Sequence, residues 1–317
     1  EKAKQLGKST QYTASETASA MEYMAMAGWK TEDMLNGIEG VMDLAAASGE
    51  DLAGVSDIVT DAMTAFGLSA DGTTKIIKDG FTKEVSNASH FADVLAAASA
   101  NSNTNVAMLG ESFKYAAPVA GSLGYSVEDT AIALGLMASS GLKSSMAGSS
   151  LRTILTNLAK PTDDISDAMD YLGISLQNGD GSMKSLMDIV TDLRGAFGQC
   201  KMPMDQFQEN LAKLDEKYAN GELTEKKYNE ALADLTEKAY GAEGALKAKY
   251  AATLAGKEGM SGLLSIVSAA PEDFDKLTNA IYNSDGAAKE MAEIKMDNLQ
   301  HDVVKLQSAM EGLGITA

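Results

Sequence analysis

Cysteine and histidine are nearly absent from this chain, which holds one cysteine and two histidines among 317 residues. The single cysteine, Cys200, excludes an internal disulfide and suits synthesis in a reducing cytoplasm. His90 and His301 lie far apart in the sequence, and each has one carboxylate at helical spacing, Asp93 and Asp297 respectively. Two ligands are too few for a metal site. We therefore predict that both histidines are surface or interface residues and that the chain binds no metal.

Complete catalytic motifs are also absent. Ser140 and Lys143 match the Ser-x-x-Lys pattern of penicillin-recognising enzymes, but the partner Lys-Thr-Gly motif is missing, and so short a pattern arises by chance. Asn178, Asp180 and Ser182 follow the spacing of a calcium loop, yet the glycine and the final glutamate that such a loop needs are missing. No glycine-rich phosphate loop and no Gly-x-Ser-x-Gly motif occur. We predict that the protein is not an enzyme and has no cofactor.

Proline, aromatic residues and long apolar runs are scarce too. Only 4 prolines occur, and aromatic residues make up 6% of a chain that is 45% hydrophobic. The apolar content is mostly alanine, methionine and leucine, which favour helices. No apolar run reaches the roughly 18 residues that a membrane-spanning helix needs. Small residues recur along the predicted helices, and charges interrupt each such stretch, which favours close packing in a soluble core over helix association in a membrane.

Positive charge is sparse. The chain has 26 Lys and Arg against 45 Asp and Glu, for a net charge of −19, and residues 31–74 hold nine acidic side chains with no Lys or Arg. Nucleic acids bind surfaces on which Lys and Arg cluster. We therefore predict no stable nucleic-acid binding. The acidic stretch is interpreted as a solvated helix face or, alternatively, as a surface that repels passing DNA.

A short sequence recurs three times in the first half of the chain. The run LAAAS at residues 44–48 returns at residues 95–99 and, more loosely, as LMASS at residues 136–140. A second helix-like run follows each copy, and the spacing between the copies is uneven. Repeated helix pairs usually stack to share one core, and such stacks act as scaffolds or binding surfaces more often than as enzymes.

Helix start signals support this interpretation. Thr13 with Glu16 forms a capping-box pattern, and Thr31 and Ser126 are predicted to cap two further helices. No convincing strand pattern of period two is found. We predict an all-α chain in which stacked helix-pair repeats form a core over residues 1–204, with an insertion near residues 72–85.

Residues 205–248 differ in composition from the repeats. Two apolar stripes are separated by Asn220 and Gly221, and the remaining residues are mostly Lys, Glu and Asp. This pattern predicts an inserted, charged, antiparallel helical hairpin. The hairpin is interpreted as a solvated spacer or, alternatively, as an element for docking or oligomerisation.

Residues 249–317 are predicted to form C-terminal helices that lead into a heptad segment. The apolar positions of this segment alternate in steps of 4 and 3, which is typical of a coiled coil. A single helix that faces the core is the alternative. The predicted oligomer seam consists of Ala292, Met296, Leu299, Val303, Leu306, Met310 and Leu313.

Several stretches resemble the core region of bacteriophage or prophage tail tape measure proteins. The resemblance covers about residues 1–204 and 249–313, and the insertions at residues 72–85 and 205–248 depart from it. The stretches that carry it are YMAMAGWKTED at 23–33, SHFADVLAAAS at 89–99, LGYSVED at 123–129, LRTIL at 151–155 with AKP at 159–161, and NSDGAA at 283–288.

The resemblance implies a structural protein of the virion tail that is made in the host cytoplasm and sets tail length during assembly. It also implies release toward the host envelope at infection, with contact to the host membrane during ejection. The implied partners are tail tube subunits, tail assembly chaperones, distal tail proteins and other copies of the chain. The family has no catalytic motif in this region, so no active-site residue carries over.

Two other functions stay open at this point. The same sequence would serve the ruler of a phage-tail-like bacteriocin or injection particle. A function of another class is part of a tail-associated cell-wall hydrolase, although nothing in the sequence resembles such a domain. We also expect the chain to be a fragment of a longer protein, because it starts inside a helix-like run and stops after a heptad run.

Overall fold

A computed structural model describes residues 2–78, 81–198, 204–240 and 244–297. The described residues form fifteen helices and one two-stranded sheet, which confirms the predicted all-α class. The elements are α1 (Lys2–Ser9), α2 (Ala14–Met26), α3 (Thr31–Ser48), α4 (Leu52–Phe66), β1 (Thr73–Lys78), β2 (Phe81–Ser86), α5 (Asn87–Asn101), α6 (Val106–Ser122), α7 (Val127–Ser139), α8 (Ser144–Ala159), α9 (Asp163–Leu172), α10 (Leu186–Phe197), α11 (Met204–Ala219), α12 (Glu225–Tyr240), α13 (Gly244–Val267), α14 (Pro271–Tyr282) and α15 (Ala287–Met296).

The three copies of the repeated sequence lie in the first helices of three stacked helix pairs. These pairs are α3 with α4, α5 with α6, and α7 with α8. The first helices form one row, in which α3 packs on α5 and α5 on α7, and the second helices form another row of α4, α6 and α8. Later and earlier helices extend the rows, since α15 packs on α3, α2 on α4, and α13 on α8. The predicted helix-pair stack is therefore present.

Local capping explains where many of these helices begin. The Thr13 hydroxyl accepts the Glu16 N–H at 3.1 Å, and the Glu16 carboxylate accepts the Thr13 N–H at 2.8 Å, so the predicted capping box is present. The Ser126 hydroxyl accepts the N–H of Asp129 at 3.0 Å, as predicted. The predicted cap at Thr31 is wrong by one residue. Lys30 is the cap, and its N–H is accepted by the Asp33 carboxylate at 2.9 Å, which closes the turn without a hydroxyl.

The sequence showed no convincing strand pattern, but the structure contains two strands. β1 and β2 form an antiparallel ribbon in which Thr73 pairs with Ser86 and Lys78 with Phe81. Thr73 and Lys75 of β1 are exposed, as are Thr82, Lys83 and Glu84 of β2, so the ribbon lacks the alternation of apolar and polar residues that marks a half-buried strand. The usable signals were the β-branched residues of β1 and the dipeptide Asp-Gly between the strands, a common hairpin sequence.

The core of the stack combines one aromatic cluster with closely approaching backbones. The rings of Phe66, Phe91 and Phe113 lie 5.4–6.5 Å apart between their centroids and are buried where α4, α5 and α6 meet. A methyl group added at Gly121 of α6 would lie 2.6 Å from the carbonyl oxygen of Phe66, so the α4–α6 contact requires a residue without a side chain. The small residues noted in the sequence thus let neighbouring helices of a row approach each other closely.

The second half of the chain adds a hairpin and a terminal segment to the stack. Helices α11 and α12 form an antiparallel hairpin whose second helix lies along α13. Helix α13 is interrupted at Gly256, where φ is 68° and ψ is 174°, a conformation that is essentially restricted to glycine. The division of the chain into a core, a hairpin and a C-terminal unit stays a prediction. No helix within the described residues is long and apolar enough to cross a membrane.

Candidate functional site

Of the residues that the sequence offered as candidates for chemistry, His90, Ser140 and Lys143 lie at the contact of α5 with α7 and in the turn between α7 and α8. His90 is 8% exposed, so its prediction as a surface or interface residue is corrected: burial between α5 and α7 places it inside the chain. Ser140 ends α7 and Lys143 precedes α8, so both belong to the turn between these helices. Across the part of the chain that the structure describes, no group of three or more His, Cys, Asp or Glu side chains is placed to hold a metal ion. Cys200 and His301 lie outside the described residues.

The predicted oligomer seam begins inside the folded chain. Ala292 on α15 is fully buried against Ala46 and Ala47 of α3, and Met296 packs at the edge of the same cluster. The other seam positions, Leu299, Val303, Leu306, Met310 and Leu313, lie outside the described residues. The seam as an interface between copies therefore stays a prediction, and its first position is already occupied by α3.

Within the described residues, the candidate site is the surface of the core on which α14 and α15 lie. Asp93 of α5 accepts the backbone N–H of Gly286 at 2.9 Å and that of Ala288 at 3.0 Å. These are the cap and an early residue of α15, whose first N–H groups have no partner within the helix. A carboxylate at a helix N-terminus also interacts favourably with the helix dipole. Asp93 therefore holds the start of α15 on the core.

A second carboxylate, Asp129 of α7, holds the end of α14. It accepts the hydroxyl of Tyr282 at 2.5 Å and the backbone N–H of Met187 at 3.3 Å, so it joins α7 to both α14 and α10. The neighbouring residue, Glu128, accepts a hydrogen bond from His90 Nε2 at 2.9 Å across the α5–α7 contact. His90 thus pairs with Glu128 rather than with Asp93, the carboxylate at helical spacing in the sequence.

An arginine of α10 holds the end of α13 on the core. The guanidinium of Arg194, on α10, donates to the carbonyls of Ile266 at 2.9 Å, Val267 at 3.3 Å and Ala269 at 2.8 Å. The last carbonyls of a helix lack partners within the helix, and a cation near them is favourable. The same guanidinium lies over the ring of Phe274 on α14, 4.4 Å from the centroid, a cation–π geometry.

Helix α15 lies parallel to α3 and is held at its far end as well. Lys295 Nζ donates to the carbonyl of Ala47 at 3.3 Å, close to the end of α3. At the other end of the contact, Lys83 of β2 forms an ion pair of 3.3 Å with Asp285, in the turn before α15. A cleft of about 500 Å³ opens between these elements, and Asp43 is among the residues that line it.

Burial and neighbouring groups shift the pKa values of three carboxylates near this surface, Asp43, Asp93 and Glu128. Burial raises the pKa of Asp43 to about 6, against the attraction of Lys289 and with repulsion from Asp93 and Glu39. Burial also raises the pKa of Asp93, although its two backbone N–H partners oppose the shift. Burial favours a neutral Glu128 as well, but the hydrogen bond and the charge of His90 outweigh it and lower the pKa of Glu128.

This arrangement holds helices together through hydrogen bonds that groups of the protein itself supply. Both oxygens of Asp93 and both oxygens of Asp129 accept hydrogen bonds from groups of the protein. Burial and the contact with Asp129 raise the pKa of Tyr282, which favours the protonated, donating phenol. Sequence reasoning missed the site, because Asp93 lies 195 residues from Ala288 and local spacing carries no information on such a contact.

The chain is similar to known proteins over nearly its whole length. The sequence model of the family described as phage-related minor tail protein matches residues 1–235. The tape measure protein of Pneumococcus phage Dp-1 is 36% identical over 310 residues, which make up 98% of this chain and 22% of that protein. The probable tape measure protein of Escherichia phage P2 is 25% identical over 313 residues, which make up 98% of this chain and 32% of that protein.

The chain thus spans between 22% and 32% of the length of these curated relatives. No solved structure matches it.

Proposed function

Because this chain belongs to the family of phage-related minor tail proteins, we propose that it is the compact module of a tape measure protein that sets tail length during assembly. Membership of the family makes it a component of the phage tail. Synthesis in the cytoplasm of the bacterial host and release toward the host envelope at infection are parts of the proposal that the family suggests.

The observation that carries the proposal is the contrast between a folded-back stack and the heptad segment that the sequence predicts after Met296. Successive helices of the stack reverse direction, so adding residues to it adds little end-to-end distance. A continuous helix instead rises about 1.5 Å per residue, so residue count translates into length only where the chain is extended. The module spans 22% and 32% of its two relatives, which leaves most of their length for such a ruler. We propose that the module is the end piece that docks to other tail proteins.

The proposed partners are tail tube subunits, tail assembly chaperones, distal tail proteins and further copies of the chain. Ala292 packs against α3 of the same chain and is therefore not available to another copy. Self-association is supported instead by the heptad pattern of the sequence after Met296. Stable nucleic-acid binding is not proposed, because the net charge of −19 opposes it. Contact with the host membrane during ejection is a further part of the proposal that the family suggests.

The test measures tail length in phage that carry altered full-length proteins. Inserting three heptads, about 21 residues, after Leu306 should lengthen the tail by about 30 Å. Deleting residues 205–248, which contain the folded-back hairpin of α11 and α12, is the control and should leave tail length nearly unchanged. Negative-stain microscopy gives both lengths.

Two results would contradict the assignment. Unchanged length after the insertion would place the predicted heptad segment outside the ruler and leave only a docking role for this region. Shortening by about 1.5 Å for each residue removed with the hairpin would mean that the hairpin is open in the assembled tail.

A further inference from the structure

We propose that residues 257–296, here called the terminal strap, detach from the core one helix at a time when the chain after Met296 is pulled. The strap comprises the second part of α13, all of α14 and all of α15. The inference goes beyond the proposed function, because it concerns the mechanical order of three contacts within the chain and holds for any partner that exerts the pull.

Apolar burial decreases along the strap from α13 to α15. The second part of α13 buries large side chains, while α14 buries two of them, Leu277 and Ile281. On α15 the fully buried side chains are Ala288 and Ala292, which carry one methyl group each. Hydrophobic stabilisation scales with the apolar area removed from water, so α15 is the weakest contact and α13 the strongest. The buried side chains of α13 in the strap are Met260, Leu263, Leu264, Ile266 and Val267.

Each strap helix is also held by a charged side chain of a different core helix. Asp93 of α5 accepts two N–H groups at the start of α15. Asp129 of α7 holds Tyr282 at the end of α14, and Arg194 of α10 holds the last carbonyls of α13. Arg194 also lies over the ring of Phe274 on α14, but the hydrogen bonds that hold α13, α14 and α15 come from three different core residues, so one set can break while the next remains. The strap can therefore detach in steps instead of in one event.

The inner boundary of the strap is Gly256. At this residue α13 leaves helical geometry. The part of α13 before Gly256 contacts α9, since Tyr250 stacks on Tyr171 with ring centroids 4.7 Å apart. The part after it packs into α8, where Gly259 and Gly262 approach Ser150. Helical hydrogen bonds do not run continuously through such a break, so detachment of the strap stops here.

Hydrogen exchange measured by mass spectrometry tests the order in the whole chain. In the unaltered protein, amides of α15 should exchange fastest, those of α14 more slowly and those of α13 after Gly256 slowest. Asp93→Asn should raise the exchange rate of α15 about tenfold and leave α13 unchanged, because it removes a charge-assisted contact at one helix only. Asp163→Asn is the control for the loss of one aspartate charge, since Asp163 is exposed at the start of α9 and is not part of the strap.

Equal protection of α15 and α13 in the unaltered protein would overturn the proposal, as would Asp93→Asn accelerating exchange in all three helices together. Failure of the variant to fold would not hide the answer, because the order in the unaltered protein is itself decisive.

A pulling experiment tests the same order under load. In a Cys200→Ser background, cysteines replacing Glu111 of α6 and Asp297 after α15 provide two attachment points for optical tweezers. The first event should release α15 and the turn before it, about 15 residues or about 50 Å of contour length. Later events should be larger and should occur at higher force. A single event that releases the core together with the strap would contradict stepwise detachment.

Discussion

Replacing Asp43 by asparagine should stabilise the protein at neutral pH. Asp43 lies on α3 beside α15, and burial raises the pKa of its carboxyl from 3.8 to about 6. A raised acid pKa means that the folded chain binds the proton more tightly than the unfolded chain does. Stability should therefore rise as the pH falls through the folded pKa and level off below the unfolded pKa. At neutral pH, the ionised carboxylate opposes folding.

The size of the effect follows from the difference between the two pKa values. Two pKa units correspond to roughly 3 kcal/mol at most, since one unit is about 1.4 kcal/mol. Asp43 is only half-buried, so solvent screening reduces this ceiling, and we expect about 1 kcal/mol. At a pH of about 5 most of the folded carboxyl is protonated while the unfolded one is not, so the gain should fall to about half of its neutral value.

The assay is urea denaturation of the unaltered protein and the Asp43→Asn variant at a pH of about 7.5 and of about 5. Comparing the variant with the parent at each pH cancels the titration of all other groups. Asp163→Asn is the control, because Asp163 is exposed in the first turn of α9 and no gain is expected from removing its charge. If Asp43→Asn destabilises the protein at the higher pH, the attraction of Lys289 outweighs the burial of the charge, and the reasoning is refuted.

Three further predictions address packing, association and chemistry. Gly121→Ala should destabilise the protein by about 1–3 kcal/mol in urea denaturation, because the added methyl group would overlap the backbone at the end of α4. The control is Gly195→Ala in α10, where the space is open and the change should stabilise by up to about 1 kcal/mol; equal effects would contradict the packing argument. Replacing Val303 and Leu306 by Asp should lower the mass measured by light scattering at high concentration, because unpaired charge is expensive at an apolar seam. Identical masses for variant and parent at all concentrations would exclude that seam. Purified cell wall should release no soluble fragments on incubation with the protein, and release abolished by Ser140→Ala would show catalysis.

The candidate site and the fold differ in how far sequence could predict them. The helix pairs followed from capping residues and from the repeated run that recurs in α3, α5 and α7, because caps and helical periodicity act over a few residues. The ribbon of β1 and β2 was missed, because an exposed strand shows no alternation and its hairpin signal is only two residues long. The acidic residues of the site looked like solvated charges, because their partners lie in distant helices.

Sequence alone determined that the chain is helical, acidic and similar to tail tape measure proteins, because each of these properties can be read from composition or from contiguous residues. Only the tertiary structure decided that α15 lies on α3, that Asp93 holds its first turn and that Ala292 is buried within the chain. The hydrogen bonds among these contacts join residues 195 to 248 positions apart. Their partners are selected by the shape and burial of the stacked rows, which no short stretch of sequence encodes.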